Sequence, residues 1–481
     1  MRSMAAVHRE PAKQVRILMD LSTSCRWTGP PVGIVRVERA LARWARQNLS
    51  GIDFVFFDPR SRCYHHLDER WLDSLLEGTA FVDSWLLPEV ADRIRFIDRI
   101  PRPMQPAMRF VLRFRRQLLM TLEARRLRTT NQAVASRLDR LQRRLMSKKY
   151  AALMIKPDGA RRPLLPPDLM IAGKATPRPG DIFVSVGSGW AHSNVDCIAA
   201  LRRDSGTQFA LLVHDLLPLT FSHHFPRHDV AAFEKYMTSA LPLADRLLFG
   251  SWRTRADTLD YCREHGIPVG QTCVVPFGAD VAKRDVQAGL PPPFGLQASR
   301  YVLFVSTIEP RKGHGLLLEV WRRLLAAGIP QASDFQLVFV GREGWMIGDL
   351  KVELDRIAGD SGRVQIHSSV DDETLAALYA NAAFCAYPSQ YEGYGLPLIE
   401  AFRHGKAVIA SDRGAIPEVV GEFSPCLPAD DVQAWFGILS RWMSDPSARE
   451  PYETAIRDRF RPTTWDEAGE AFFASLHEPD G

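Results

Sequence analysis

Apolar residues along this chain come in short runs separated by amphipathic stretches. In the first half the runs are VRILMD (15–20), DFVFFD (53–58), DIFVSV (181–186), FALLVHD (209–215), RLLFGS (246–251) and TCVVPFG (272–278). The rhythm tightens in the second half, with RYVLFVS (300–306), FQLVFVG (335–341), VQIHSS (364–369), AFCAYPS (383–389) and AVIASD (407–412). Continuous rather than alternating runs are the mark of strands buried on both faces of a parallel sheet. Stretches of helical spacing, such as GLLLEVWRRLLAAG and DDETLAALYANA, separate them. Strand–helix alternation of this kind predicts an α/β protein of doubly wound units. Between the halves, three prolines and two glycines in KRDVQAGLPPPFGLQASR predict a linker near 283–299. Two Rossmann-like domains and a hinge are the expected organisation.

Length supports that division, because 481 residues exceed one ordinary core. A hydrophobic content of 46% and a charged content of 24% exclude a disordered chain. The seven cysteines are scattered without a Cys-x-x-Cys pair, which predicts reduced thiols and a cytoplasmic setting. The first twenty residues hold no apolar stretch of signal-peptide length, and no run approaches 18 apolar residues, so no membrane span is expected.

The net charge of +5 is uneven. Residues 107–149 carry thirteen Arg or Lys against two acids, a local +11, which leaves about −6 for the rest. Apolar positions 108, 111, 112, 118, 119, 122, then 134, 138, 141 and 145 recur there at helical spacing. Pro106 marks a start. Two readings stand: a helical pair with a solvated basic face, or a basic amphipathic surface held against anionic lipid by contacts that half-molar salt would strip. The segment lacks regularly interleaved aromatics, so nucleic acid is not an expected partner.

Ligands of doubly wound folds lie beyond the carboxyl ends of the strands. There the second half delivers Arg311 and Lys312 after one strand, taken as an exposed strand end, and the turn Gly393-Tyr394-Gly395-Leu396 after another. Pro397 suits a first helical position, so the turn offers amides at a helix N-terminus, a setting suited to phosphate. Glu392 lies in the turn, and Glu400 in the first turn of the expected helix. FSHHFPRH (221–228) crowds three histidines, but no acidic or cysteine ligands complete a zinc pattern there. The chain has no Asp-x-Asp to bridge a diphosphate through a metal. No metal site is expected.

EGYGLPLIE (392–400) resembles the paired-glutamate motif of retaining GT-B glycosyltransferases, specifically glycosyltransferase family 4. STIEPRKGHGLLLEVW, LVFVGREG, VVPFGAD and the stretch from DDETLAALYANA through GAIPEVVGE resemble that family's segments in order. The likeness is near-continuous from about 245 to 475 and sparser before, in VHDLLPL (213–219) and TGPPVGIVRVERAL (28–41). It implies a GT-B fold: an acceptor domain over 1–285 with a basic helical insertion at about 85–150, and a donor domain over 286–460. Residues 461–481 would cross back to the first domain. By position, Arg311 and Lys312 would hold the donor diphosphate, Glu400 the ribose, and Glu392 a hydroxyl of the transferred sugar. Gly393 to Leu396 would touch phosphate and sugar, Gly341 and Val370 would line the base, and His214 would face the anomeric carbon. Gly33 would let its loop approach the β-phosphate. Some of the family carry a further basic residue where this chain has Ser306.

The implied activity is hexose transfer, with mannose from GDP-mannose favoured and UDP-sugars left open, to a glycan or lipid-linked glycan acceptor. The nucleotide-sugar is substrate, and no cofactor is implied. Retention without a carboxylate beneath the anomeric carbon implies front-face substitution. An epimerase on the same fold, or an inactive scaffold with a basic surface, is the alternative.

Overall fold

A computed structural model describes residues 15–27, 33–82, 101–145, 164–279, 291–368 and 370–477. The chain divides into two compact units, Met1–Leu211 with Leu243–Asp245, and Leu212–Pro242 with Arg246–Gly481. Part of the expected hinge, residues 283–290, falls outside the described residues, as do Pro30, Pro31 and Ser369.

In the first unit, β1 (Ile17–Asp20), β2 (Ile52–Asp58), β3 (Cys63–Leu67), β6 (Ile171–Lys174), β7 (Ile182–Ser185) and β8 (Gln208–Val213, its last two residues counted with the second unit) lie in the order β8-β7-β1-β2-β3-β6. Two-residue strands β4 (Phe81–Val82) and β5 (Leu164–Leu165) pair separately. The central pairs are parallel, with Ile17 opposite Ile182 and Ile52. β3 and β6 run antiparallel. Neither was legible as a buried run, because both are short and lie away from the apolar centre. Three of the five residues of β3, CYHHL, are only partly buried. The basic segment forms two helices, Gln105–Arg128 and Gln132–Leu145, as its periodicity predicts, with Pro106 at the second helical position.

The second unit holds β9 (Arg246–Phe249) paired parallel with β10 (Gln271–Val274). It also holds β11 (Tyr301–Val305), β12 (Gln336–Val340), β13 (Val364–His367), β14 (Phe384–Tyr387), β15 (Val408–Ser411) and β16 (Cys426–Leu427). These form an all-parallel sheet in the order β13-β12-β11-β14-β15-β16. β11, β12 and β14 are apolar at nearly every position because helices cover both faces. Phe304, Phe339, Phe384, Trp321, Trp435 and Trp442 fill the layers and are almost wholly buried. Strand order reverses between β11 and β14, which puts the topological switch point at their carboxyl ends. The last helix, Trp465–Ser475, opens with a capping box at Thr464 and Glu467. Its Ser475 carbonyl accepts from Arg246 at 2.9 Å.

Among the described residues, no helix is long and apolar enough to cross a membrane. All seven cysteines are free.

Candidate active site

The site grows from the ends of β11 and β14. After β11 the chain makes a single 3-10 turn, Pro310–Lys312, and reaches Gly313 with φ +79° before the helix His314–Ala326. A Cβ on Gly313 would sit 2.3 Å from the Pro388 carbonyl oxygen, so only glycine lets the two strand-end loops meet. Gln390 N–H donates to the Arg311 carbonyl at 2.8 Å and fixes the register between them.

That meeting seats Lys312 against Glu392. Lys312 Nζ donates to Glu392 Oε1 at 2.6 Å, and Tyr387 Oη donates to the same oxygen at 3.2 Å. Arg311 stands 3.8 Å from Glu392 Oε2. Its Nε lies 3.0 Å from Glu309 Oε2, an ion pair without hydrogen-bond alignment. All four charged groups are buried or nearly so, with Lys312 8% exposed. The expectation of an exposed Lys312 is therefore wrong: it is buried against Glu392 from the loop after β14. Burial pushes the Lys312 ammonium down, helped by Arg311 and opposed by Glu392. Burial also pushes the Glu392 carboxyl up, but Lys312 and Arg311 outweigh it and hold it below the usual range. For Arg311 the loss of solvation is outweighed by Glu392, Glu309 and Asp215, which raise it. The cluster is an ion-paired knot whose cations have carboxylate partners.

Beyond Glu392 the turn is held from behind. Ser251 and Thr254 hydroxyls donate to the Gly393 carbonyl at 2.8 and 3.1 Å. A Cβ on Gly393 would lie 2.2 Å from the His214 carbonyl oxygen and 2.9 Å from Asp215 Cβ. The VHD segment is therefore in direct contact with the glycine turn. Asp215 takes the Leu217 amide at 3.0 Å. Burial raises its carboxyl, with Arg311 the strongest opposing charge. Tyr394 Oη donates to the Phe277 carbonyl at 3.1 Å, and the His214 and Phe277 ring centroids are 5.9 Å apart.

Gly395 has φ +109° and precedes the helix Leu396–Arg403. Pro397 is its second residue rather than its first, and Glu400 is its fifth, beyond the first turn rather than in it. One extra residue of helix shifts both. Among the described residues, no backbone acceptor takes the N–H groups of 393–396. Glu400 is buried and accepts from Tyr379 Oη at 3.2 Å.

The remaining expected positions fall on the same rim or apart from it. Gly341 follows β12, and a Cβ there would overlap the Ser306 carbonyl oxygen at 1.7 Å. Val370 is half-buried against the core of this unit. Ser306 is buried and turns its hydroxyl to the Thr307 carbonyl at 3.1 Å. Gly33 opens a helix, Gly33–Asn48, in the first unit, and its role rests on sequence resemblance alone. Glu309, Tyr387, Ser251 and Thr254 escaped the sequence reading. Glu309 had a signal, its place two residues before Arg311; the others touch the site only through folding. His223 and His224 lie side by side with ring centroids 4.1 Å apart. Among the described residues, no cluster of three or more metal-ligating side chains occurs.

Residues 294–459 match the family described as glycosyl transferases group 1. The chain is 29% identical over 242 residues to O-antigen chain mannosyltransferase B of Escherichia coli, covering 49% of this chain and 61% of the relative. It is 33% identical over 195 residues to MMP alpha-(1->4)-mannosyltransferase of Mycolicibacterium hassiacum, covering 40% and 44%. To phosphatidyl-myo-inositol mannosyltransferase of Mycolicibacterium smegmatis it is 32% identical over 199 residues, covering 40% and 48%. The matches thus span between 30% and 61% of the length of the first such relatives. A UDP-forming trehalose-phosphate synthase structure from Burkholderia xenovorans superposes with a TM-score of 0.51 at 16% identity, covering 62% of this chain and 74% of the other. The two Rossmann-like α/β sheets match the GT-B architecture, as the sequence predicts.

Proposed function

We propose that this protein is a retaining hexosyltransferase that moves a sugar, mannose in the favoured case, from a nucleotide-diphosphate donor to a glycan or lipid-linked glycan. The observation that carries the reading is the buried Arg311–Lys312–Glu392 knot beside the open amides of 393–396. Mannosyl transfer is the activity named for the relatives above, and it extends to this chain as part of the proposal.

Each residue has a chemical task. Arg311 and Lys312, with the helix N-terminus at Leu396, neutralise the charge that builds on the leaving diphosphate. Glu400 accepts hydrogen bonds from the ribose diol, and Glu392 turns from Lys312 to a sugar hydroxyl. His214 stands at the anomeric carbon, and Gly341 and Val370 flank the base. The C1–O bond to phosphate breaks while a C1–O bond to the acceptor forms on the same face. The acceptor proton passes to the departing phosphate oxygen. With two cations and an amide cluster supplying charge, no metal is needed. The protein works in the cytoplasm, and the charge of 107–149 draws it to an anionic membrane surface that presents the acceptor.

Thermal shift against GDP, UDP, ADP and dTDP tests the donor. GDP is expected to raise Tm most, by mass action on the folded state. A chain that none of the four stabilises is not a nucleotide-sugar transferase.

A further inference from the structure

The helix Gln105–Arg128 leaves large apolar side chains in water. Phe110 is 70% exposed, Phe114 64%, Val111 56% and Leu118 36%. At 100° per residue these four positions fall within an arc of about 100°, one stripe along the helix. The same helix uses a different face to pack: Leu119 and Leu122 are buried, Gln142 of the second helix donates to the Leu119 carbonyl at 3.3 Å, and Arg115 donates to the Leu145 carbonyl at 2.7 Å. The stripe is therefore surplus to the packing of the hairpin. Exposed Arg125 and Arg128 continue its arc towards the helix C-terminus. Over 105–145, eleven arginines face one glutamate and one aspartate, and both acids are ion-paired, Glu123 to Arg126 and Asp139 to Arg143.

The geometry points to insertion: Phe110, Val111, Phe114 and Leu118 enter the acyl–headgroup boundary of an anionic bilayer while the arginines hold its headgroups. This deepens the membrane placement proposed above and rests on it, replacing a purely electrostatic contact with a wedge. A phenylalanine-and-aliphatic stripe flanked by arginine is the composition of helices that lie in an interface, buried by about 5–10 Å. Charge selects the occupant. A second copy would bring like charge against like charge, and a single-stranded nucleic acid would find no stacking partner in Val111 or Leu118.

Sedimentation of the full chain with vesicles of phosphatidylglycerol and phosphatidylcholine tests it. The wild type is expected to bind, and to stay partly bound at half-molar salt, which strips charge contacts but not apolar ones. The Phe110→Ser, Phe114→Ser double variant is expected to keep its Tm and its response to GDP while its partition falls roughly a hundredfold, about tenfold per ring. A Phe110→Trp variant is expected to blue-shift its fluorescence on adding these vesicles. The wedge is overturned if the double variant sediments like the wild type, if half-molar salt releases all the protein, or if the introduced indole keeps the emission of a ring in water. It is equally overturned if the stripe instead controls dimerisation in light scattering or binding of an oligonucleotide. The GDP response reports on the transferase reading independently.

Discussion

In the proposed site Lys312 has both a structural and a chemical task, and the two can be separated. Removing it leaves Glu392 in a buried site with its nearest cation gone, a loss of about 3–5 kcal/mol for a broken buried pair. The Lys312→Ala variant should therefore melt earlier and lose on the order of 10²-fold in transfer rate, as lost leaving-group contacts do. A Lys312→Met, Glu392→Gln pair removes both charges, so Tm should return while transfer stays low. If transfer recovers with Tm, the lysine is structural and its assignment to the diphosphate falls. The sequence singles out Arg311, Lys312 and Glu392, which the fold brings together, because charge at strand ends is visible in a chain. Sequence reading misjudged the exposure of Lys312, because the carboxylate it is buried against, Glu392, lies 80 residues downstream.

Among elements, the glycines separate those needed for close approach from those merely present. Gly393 lies against the His214 carbonyl, so a Cβ must displace either the turn or the VHD segment. The Gly393→Ala variant should lose roughly 1–3 kcal/mol, the usual cost of overpacking, and weaken donor binding because the open amides move with the turn. Gly315, exposed in the helix His314–Ala326, has open space where a Cβ would sit, with nothing within 4 Å, so Gly315→Ala should gain about 0.5–1 kcal/mol. Chemical denaturation of the two variants reads both signs. Equal effects would mean that the close contact at Gly393 yields without cost. The pattern of buried runs made β1, β2 and β7 to β15 legible. It missed β3 and β6, whose antiparallel, half-solvated residues carry no continuous apolar signal. Helix starts were off by a residue at Pro397 because Leu396, which is apolar in a turn and in a helix alike, marks no boundary.

For the molecule as a whole, the family match over 294–459 and a GT-B-like pair of sheets support glycosyl transfer as the proposed chemistry without fixing its product. Product stereochemistry is where the proposed arrangement makes a commitment. Glu392 is paired with Lys312 and Tyr387, and in the proposed arrangement it turns to a sugar hydroxyl, not to the anomeric carbon. A double displacement needs an unencumbered carboxylate close beneath the anomeric carbon. Front-face substitution needs only a stabilised leaving group on the side of attack, which two cations and a helix N-terminus supply. An α-linked donor should thus give an α-linked product by NMR, and excess EDTA should leave the rate unchanged. An inverted linkage would mean that water or acceptor attacks from the far face and that another group acts as base. A strict requirement for added Mn²⁺ would mean that Arg311 and Lys312 do not suffice for the diphosphate, and their carboxylate partners Glu309 and Glu392 would then be the first groups to test as metal ligands.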